Sequence, residues 1–190
     1  MPCLPNWSIK GPFIYASPTQ HILRGLCFEG SGFDSTTFYI SVFFLPLCVP
    51  TKIVGLTFGK RLRGATGAAW NKYDTELIPE LRMAVTREAL PFLSEVESLP
   101  DLARIVAAKW SPKNPYVKQA IAYALAYSGQ LEAANTQLEQ LLELLDSTVP
   151  WQREMAERAI LLRTKLTNLQ DAQQQLRIWE MESRSNLKLD

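Results

Sequence analysis

The sequence predicts an α+β protein in which a small antiparallel β-meander packs on a C-terminal bundle of about six helices. Two observations carry that prediction. The run Phe38-Tyr39-Ile40-Ser41-Val42-Phe43-Phe44-Leu45 is apolar or aromatic at every position but one, the mark of a strand buried on both faces. After residue 70 the chain becomes a nearly unbroken series of helical patterns, with Pro79, Pro100, Pro115 and Pro150 placed as first-turn prolines. Charge changes at the same place. Residues 1–72 hold seven Lys/Arg against two Asp/Glu, and residues 73–190 hold thirteen against seventeen.

Each element has its own warrant. Residues 1–20 carry four prolines and read as an irregular lead-in with a short strand at Phe13-Ile14-Tyr15. His21–Phe28 has the β-branched and aromatic content of a strand. Glu29-Gly30-Ser31-Gly32-Phe33-Asp34-Ser35 is a cluster of turn residues. Thr36–Leu45 is the strongest strand, Pro46 and Pro50 interrupt pairing, and Lys52–Phe58 is read as a third strand. Small residues from Gly64 to Asn71 suggest a loop or hinge.

Helices are expected at about 77–95, 99–110, 115–128, 130–146, 150–166 and 169–185, with Ser98, Asn114 and Thr148 as capping side chains and Pro91 kinking or ending the first. Residues 1–70 are thus read as the sheet region and 71–190 as the helical region of one integrated domain, because a meander this small needs a helical cover.

Composition narrows the function classes. An apolar fraction of 47% and a charged fraction of 21% over 190 residues are ordinary for a globular chain, and a net charge of +1 argues neither for nucleic acid nor for an anionic membrane. Cys3, Cys27 and Cys48 form no C-x-x-C pair and are odd in number, so no disulfide framework or metal site is expected, and Cys27 and Cys48 read as core. No signal-peptide pattern is visible and Phe38–Val49 is too short to span a bilayer, so a cytoplasmic protein without membrane partners is expected. In that compartment Asn6-Trp7-Ser8 is a chance sequon.

No catalytic set emerges. Gly55-Leu56-Thr57-Phe58-Gly59-Lys60-Arg61 has the glycines of a phosphate loop but the wrong spacing, and Arg61 stands where a magnesium-holding hydroxyl is needed. His21 is the only histidine, so a zinc site has no second imidazole. Lys60, Arg61 and Arg63 form a small basic cluster without the interleaved aromatics or the extent of a nucleic-acid footprint. The expectation is a protein without catalytic residues, cofactor or metal.

Two features point instead to a protein partner. The helix at 130–146 carries Glu132, Glu139, Glu143 and Asp146 with no basic residue, a face that repels itself and would welcome a basic partner. Glu29 and Asp34 flank the glycine-rich turn and are a second pair of partner-binding candidates, since rigidly held loops often carry recognition. Trp110, Tyr116, Tyr123, Tyr127 and Trp151 are anchor candidates wherever they reach the surface.

Two resemblances give these features a setting. Ala124-Leu125-Ala126-Tyr127-Ser128-Gly129-Gln130-Leu131-Glu132-Ala133-Ala134 resembles the turn of a tetratricopeptide hairpin, departing from it at Leu141 and Asp146. Leu23–Asp34, Phe38-Tyr39-Ile40, Pro46-Leu47, Val49-Pro50 and Phe58-Gly59-Lys60-Arg61-Leu62 make up an N-terminal block of about the first third of the chain. That block resembles small bacterial immunity proteins that accompany secreted antibacterial toxins. The second resemblance implies a non-enzymatic inhibitor that binds a toxin domain and occludes its active site. The first implies, as the alternative, a helical-repeat adaptor that binds a peptide or protein.

Overall fold

The computed structural model describes residues 6–189. It is an α+β structure with six strands followed by helices: β1 (Trp7–Lys10), β2 (Phe13–Ala16), β3 (Ile22–Gly30), β4 (Thr37–Pro46), β5 (Gly59–Arg61) and β6 (Ala69–Asn71), then α1 (Leu77–Ala84), a π-helical stretch (Val85–Ala89), α2 (Leu90–Ser94), α3 (Leu99–Lys109), α4 (Pro115–Tyr127), α5 (Leu131–Leu144), α6 (Pro150–Lys165) and α7 (Leu169–Leu187). No helix of the described residues is long and apolar enough to cross a membrane. The chain divides into two compact units. One runs up to Leu45 and includes Gly55–Val96; the other takes Pro46–Val54 with the chain from Glu97 onward. Helices α1 and α2 therefore go with the sheet.

In the first unit the antiparallel sheet has the order β1-β2-β3-β4-β5, and β6 pairs with β4 beyond β5. β4 is the central strand, with Ile40, Ser41, Val42, Phe43 and Phe44 all buried, as a strand apolar on both faces requires. Phe13 of β2 meets Phe43 edge to face at 6.1 Å, while Phe44 stacks on Phe58 at 5.7 Å and on Phe92 of α2 at 5.5 Å. Arg24 of β3 ties α2 to the sheet: its guanidinium donates to the carbonyls of Leu93 and Val96, where a helix end leaves acceptors unpaired. The helix reaches that point through a π turn, in which Leu90 N–H bonds Val85 O. The wider turn lies just before Pro91, which cannot donate and crowds the carbonyl four residues back. Pro91 thus changes the winding of the helix without ending it.

Three strand expectations need correction. The lead-in is a full hairpin, β1 paired with β2 around Gly11, whose φ is +53°. Lys52–Phe58 is not a strand: the Thr51 hydroxyl donates to Ile53 O, curling the chain, and pairing starts only at Gly59. A side chain at Gly59 would sit 2.8 Å from Val42 O, so close approach of the strands requires glycine there. The expected hinge at 64–71 contains β6. Gly64 and Gly67 close a tight turn, Gly67 at φ +131°, and Trp70 then buries itself opposite Phe38.

In the second unit all five expected helices form. Ser98 and Asn114 cap α3 and α4 as anticipated, at 3.3 and 3.0 Å to the amides of Asp101 and Tyr116. Thr148 does not cap α6, because its hydroxyl is taken by Asp146. α4 is the small-residue helix, with Ala120, Ala122, Ala124 and Ala126 buried. It packs on α3, α5 and α7, while α5 packs on α6 and α6 on α7. The four helices α4–α7 therefore close a ring, whereas a helical-repeat hairpin would stack forward and leave a concave face. Tyr123 and Trp179 stack at 5.3 Å in the middle of that ring. Segment 46–54 docks on α7: Ser183 Oγ accepts from Thr51 N–H and donates to Val49 O, both at 3.2 Å, and Leu47 and Cys48 are fully buried.

Candidate functional site

The anticipated acidic face of α5 is only partly available. Glu132, Glu139, Glu143 and Asp146 are all exposed, but Glu139 is not uncompensated: its carboxylate accepts from Arg163 of α6 at 2.7 Å and from Asn135 at 3.0 Å. An exposed pair of this kind is worth about 0–1 kcal/mol, yet it neutralises the charge that was to attract a partner. Asp146 is committed locally, accepting from the amide and hydroxyl of Thr148. Among the described residues Glu132 and Glu143 have no cationic partner.

The α5–α6 turn is where these acids meet an aromatic surface. Tyr116, at the start of α4, and Trp151, at the start of α6, stack at 5.3 Å and 8° while remaining 44% and 42% exposed. Asp146 lies in the turn leading to Trp151, its amide bonded to Gln152 Oε1 at 2.6 Å, and Leu144 beside it is also exposed. A rigid, half-exposed aromatic pair has the geometry of a binding anchor, because little side-chain entropy remains to be lost. Of the other anchor candidates, Tyr123 is core, and Trp110 and Tyr127 are half-buried.

Glu29 is not in the loop. It belongs to β3, half-buried, and accepts from Ser41 Oγ at 3.3 Å, so it does not form a carboxylate pair with Asp34. Asp34 organises the β3–β4 loop instead, accepting from Thr36 N–H at 2.9 Å and from the hydroxyls of Thr36 and Thr37, while Ser31 Oγ accepts from the amides of Phe33 and Asp34. These donors, led by the Thr37 hydroxyl, hold the Asp34 carboxyl below the usual carboxylate range. With the native carboxyl the stronger acid, the bonds contribute fully above the ordinary range and are lost as pH falls through the lower native value. The Thr36 amide resonance is accordingly expected to titrate with a midpoint below that of a free aspartate. A midpoint at or above the free value would contradict the loop geometry.

The same loop presents Phe33 fully to solvent, a residue for which sequence reasoning had no role, although a lone large apolar side chain in a polar turn is a signal. Beside the loop, Lys72 N–H donates to Thr36 O at 2.9 Å and Lys72 Nζ to Ser35 O, which places the strongly exposed Tyr73 near it. A cleft of about 150 Å³ opens here, lined by Thr37, Thr66, Trp70, Asn71, Asp74 and Glu80 among others. Its residues are scattered over 44 positions of sequence, from Thr37 to Glu80, and no motif links them.

The thiols of Cys27 and Cys48 are pushed up to about 11 and about 12 by burial, so both stay protonated at neutral pH; Cys3 lies outside the described residues. His21 is half-buried at the edge of β3. Lys60 pairs with Glu88 at 3.4 Å and lies over the Phe92 ring, and Arg61 covers the Tyr39 ring at 4.2 Å, so two of the three basic residues serve the first unit's own packing. Among the described residues no group of three or more His, Cys, Asp or Glu could hold a metal ion. Compared with known protein families, curated proteins and solved structures, the chain matches none of them.

Proposed function

We propose that the chain is a cytoplasmic, non-enzymatic immunity protein that binds a cognate antibacterial toxin and blocks its active site by steric occlusion. The observation that carries the binding reading is the stacked, half-exposed Tyr116–Trp151 pair at the α5–α6 turn. Anchored aromatics supply contact area, and Glu143 and Asp146 nearby steer a basic partner, which acts mainly on the association rate. The toxin setting comes from the resemblance of the N-terminal block. The adaptor alternative finds less support, because α7 packs on α4 where an open repeat would keep its groove.

Two measurements test this. A secreted-toxin gene is expected beside this one, and co-expression with its toxin domain is expected to restore growth and the purified pair to bind. Tyr116→Ala with Trp151→Ala is expected to weaken that binding by about thirtyfold or more, the effect of losing roughly 2 kcal/mol at a hot spot, with helical content unchanged. Binding that survives the double variant would remove the site, and growth that is not restored would remove the toxin.

A further inference from the structure

We propose that the chain forms a two-fold dimer in which the outer edge of β1 pairs with the same edge of a second copy, joining the two sheets into one. This goes beyond the immunity reading and does not depend on it. The backbone of β1 offers the bonds, and its side chains select the partner.

β1 ends the sheet order, and among the described residues no strand pairs with its outer side. The register fixes where its backbone groups point. Ser17 N–H donates to Asn6 O at 2.6 Å, so Asn6 and Ser17 are a bonded pair, and antiparallel alternation makes Ser8–Tyr15 and Lys10–Phe13 the next ones. The far side of β2 has the same phase: Phe28 N–H on Pro12 O, at 2.8 Å, makes Ile14–Leu26 a bonded pair, so Ile14 has nothing left for Ile9. Trp7 and Ile9 therefore turn their N–H and C=O groups away from β2. These two donors and two acceptors line an edge that no described strand meets. Edges meant to stay in water are blunted by prolines, bulges or charges. β1 keeps an unbroken register, contains no proline, and has Lys10 as its one charge. Ile9, whose amide lies on that edge, is 76% exposed.

The sequence of β1 matches itself. Trp7 and Ile9 stand symmetrically about Ser8, so an antiparallel copy centred on Ser8 sets Trp7 against Ile9 of the second copy, and Ile9 against its Trp7. All four outward groups are then bonded. A two-fold axis through the sheet keeps like faces on the same side, so each exposed Ile9 lies beside the other copy's indole, an apolar cross-strand pair made twice. Ser8 meets Ser8 of the second copy at the unbonded position, where Cα atoms approach to about 4.5 Å and a small hydroxyl residue is well suited. Lys10 falls opposite Asn6 of the second copy, so no like charges oppose each other. Centring on Ile9 instead would leave Trp7 facing the turn at Gly11, whose φ of +53° ends the strand. These matches are properties of β1 against itself, and a strand of unrelated sequence has no reason to show them.

The test is sedimentation equilibrium of the full chain at concentrations up to about 1 mM. A monomer–dimer equilibrium is expected, with a dissociation constant on the order of 100 µM because the interface is small. Ile9→Pro removes an outward N–H and leaves every β1–β2 bond in place, so it should weaken the dimer at least about tenfold with the fold intact. Ser8→Asp and Ser8→Lys should each do the same by setting like charges against each other, while their equimolar mixture should associate as tightly as the parent or tighter. Only a two-fold axis at Ser8 brings those two side chains together. A parent that stays monomeric throughout overturns the inference, and a strand of another protein is then the occupant left for the edge. Undiminished association of Ile9→Pro overturns it too, as does a mixture of the folded charged variants no tighter than either alone. If a charged variant folds poorly, the parent and Ile9→Pro still decide. No toxin enters the measurement, so its failure leaves the immunity reading untouched.

Discussion

Tyr123→Ala is expected to destabilise the second unit by about 3–5 kcal/mol, the range for removing a large aromatic side chain from a packed core. The ring is fully buried on α4, the helix that packs on α3, α5 and α7, and it stacks on Trp179 at 5.3 Å. Removing it leaves a void that the three helices packed on α4 cannot readily collapse into. It also strands a polar group: Gln119, 3% exposed, donates to the phenol oxygen at 3.4 Å. Tyr123→Phe separates the two effects, since it keeps the ring and orphans only the amide, at a cost of about 1–3 kcal/mol. Urea unfolding followed at the Trp179 resonance checks both. An alanine variant within about 1 kcal/mol of the parent would mean that α4–α7 do not close around this residue.

Gly25→Ala is expected to cost the first unit about 3 kcal/mol, the upper end for forcing extra volume into a packed site. Gly25 pairs with Tyr15 across β2 and β3, and a Cβ there would collide with the carbonyl oxygen of Ile14 and stand 2.9 Å from Tyr15 Cα. These are backbone atoms, so no rotamer change relieves the contact and the strands must part. The buried Trp70 gives a local reporter in the same unit. Gly30→Ala is the matched control: it belongs to the same strand, and a Cβ there meets nothing within 4 Å. If both variants unfold together at the parental urea concentration, the β2–β3 register is wrong.

Much of the fold was legible because its signals are local. A first-turn proline or a capping Ser98 or Asn114 acts within one turn of its own position, so helix starts could be read residue by residue. The two-faced apolar run of β4 announced a central strand for the same reason. What failed was also local, but conflicted. Lys52–Phe58 has strand composition, yet Thr51 and Pro50 curl the chain before it can pair. β6 was hidden because small residues flank Trp70, and its pairing depends on a turn at Gly64–Gly67 that composition alone presents as a hinge.

The binding surfaces divide along the same line. The acids of α5 and the aromatics Tyr116 and Trp151 are visible as residue types in the sequence. That Glu139 is neutralised by Arg163, 24 positions away, and that Tyr116 and Trp151, 35 apart, form one platform are facts of helix packing. The cleft is the extreme case, since Thr37, Trp70 and Glu80 come from a strand, a strand and a helix that only the sheet's topology assembles. The α+β class, the central strand and most helix starts follow from the sequence, because periodicity and capping are properties of neighbouring residues. Which charges are spent and which are free is set by the packing of the helices. Compensation depends on distance in space, and side chains far apart along the chain acquire that distance only when it folds.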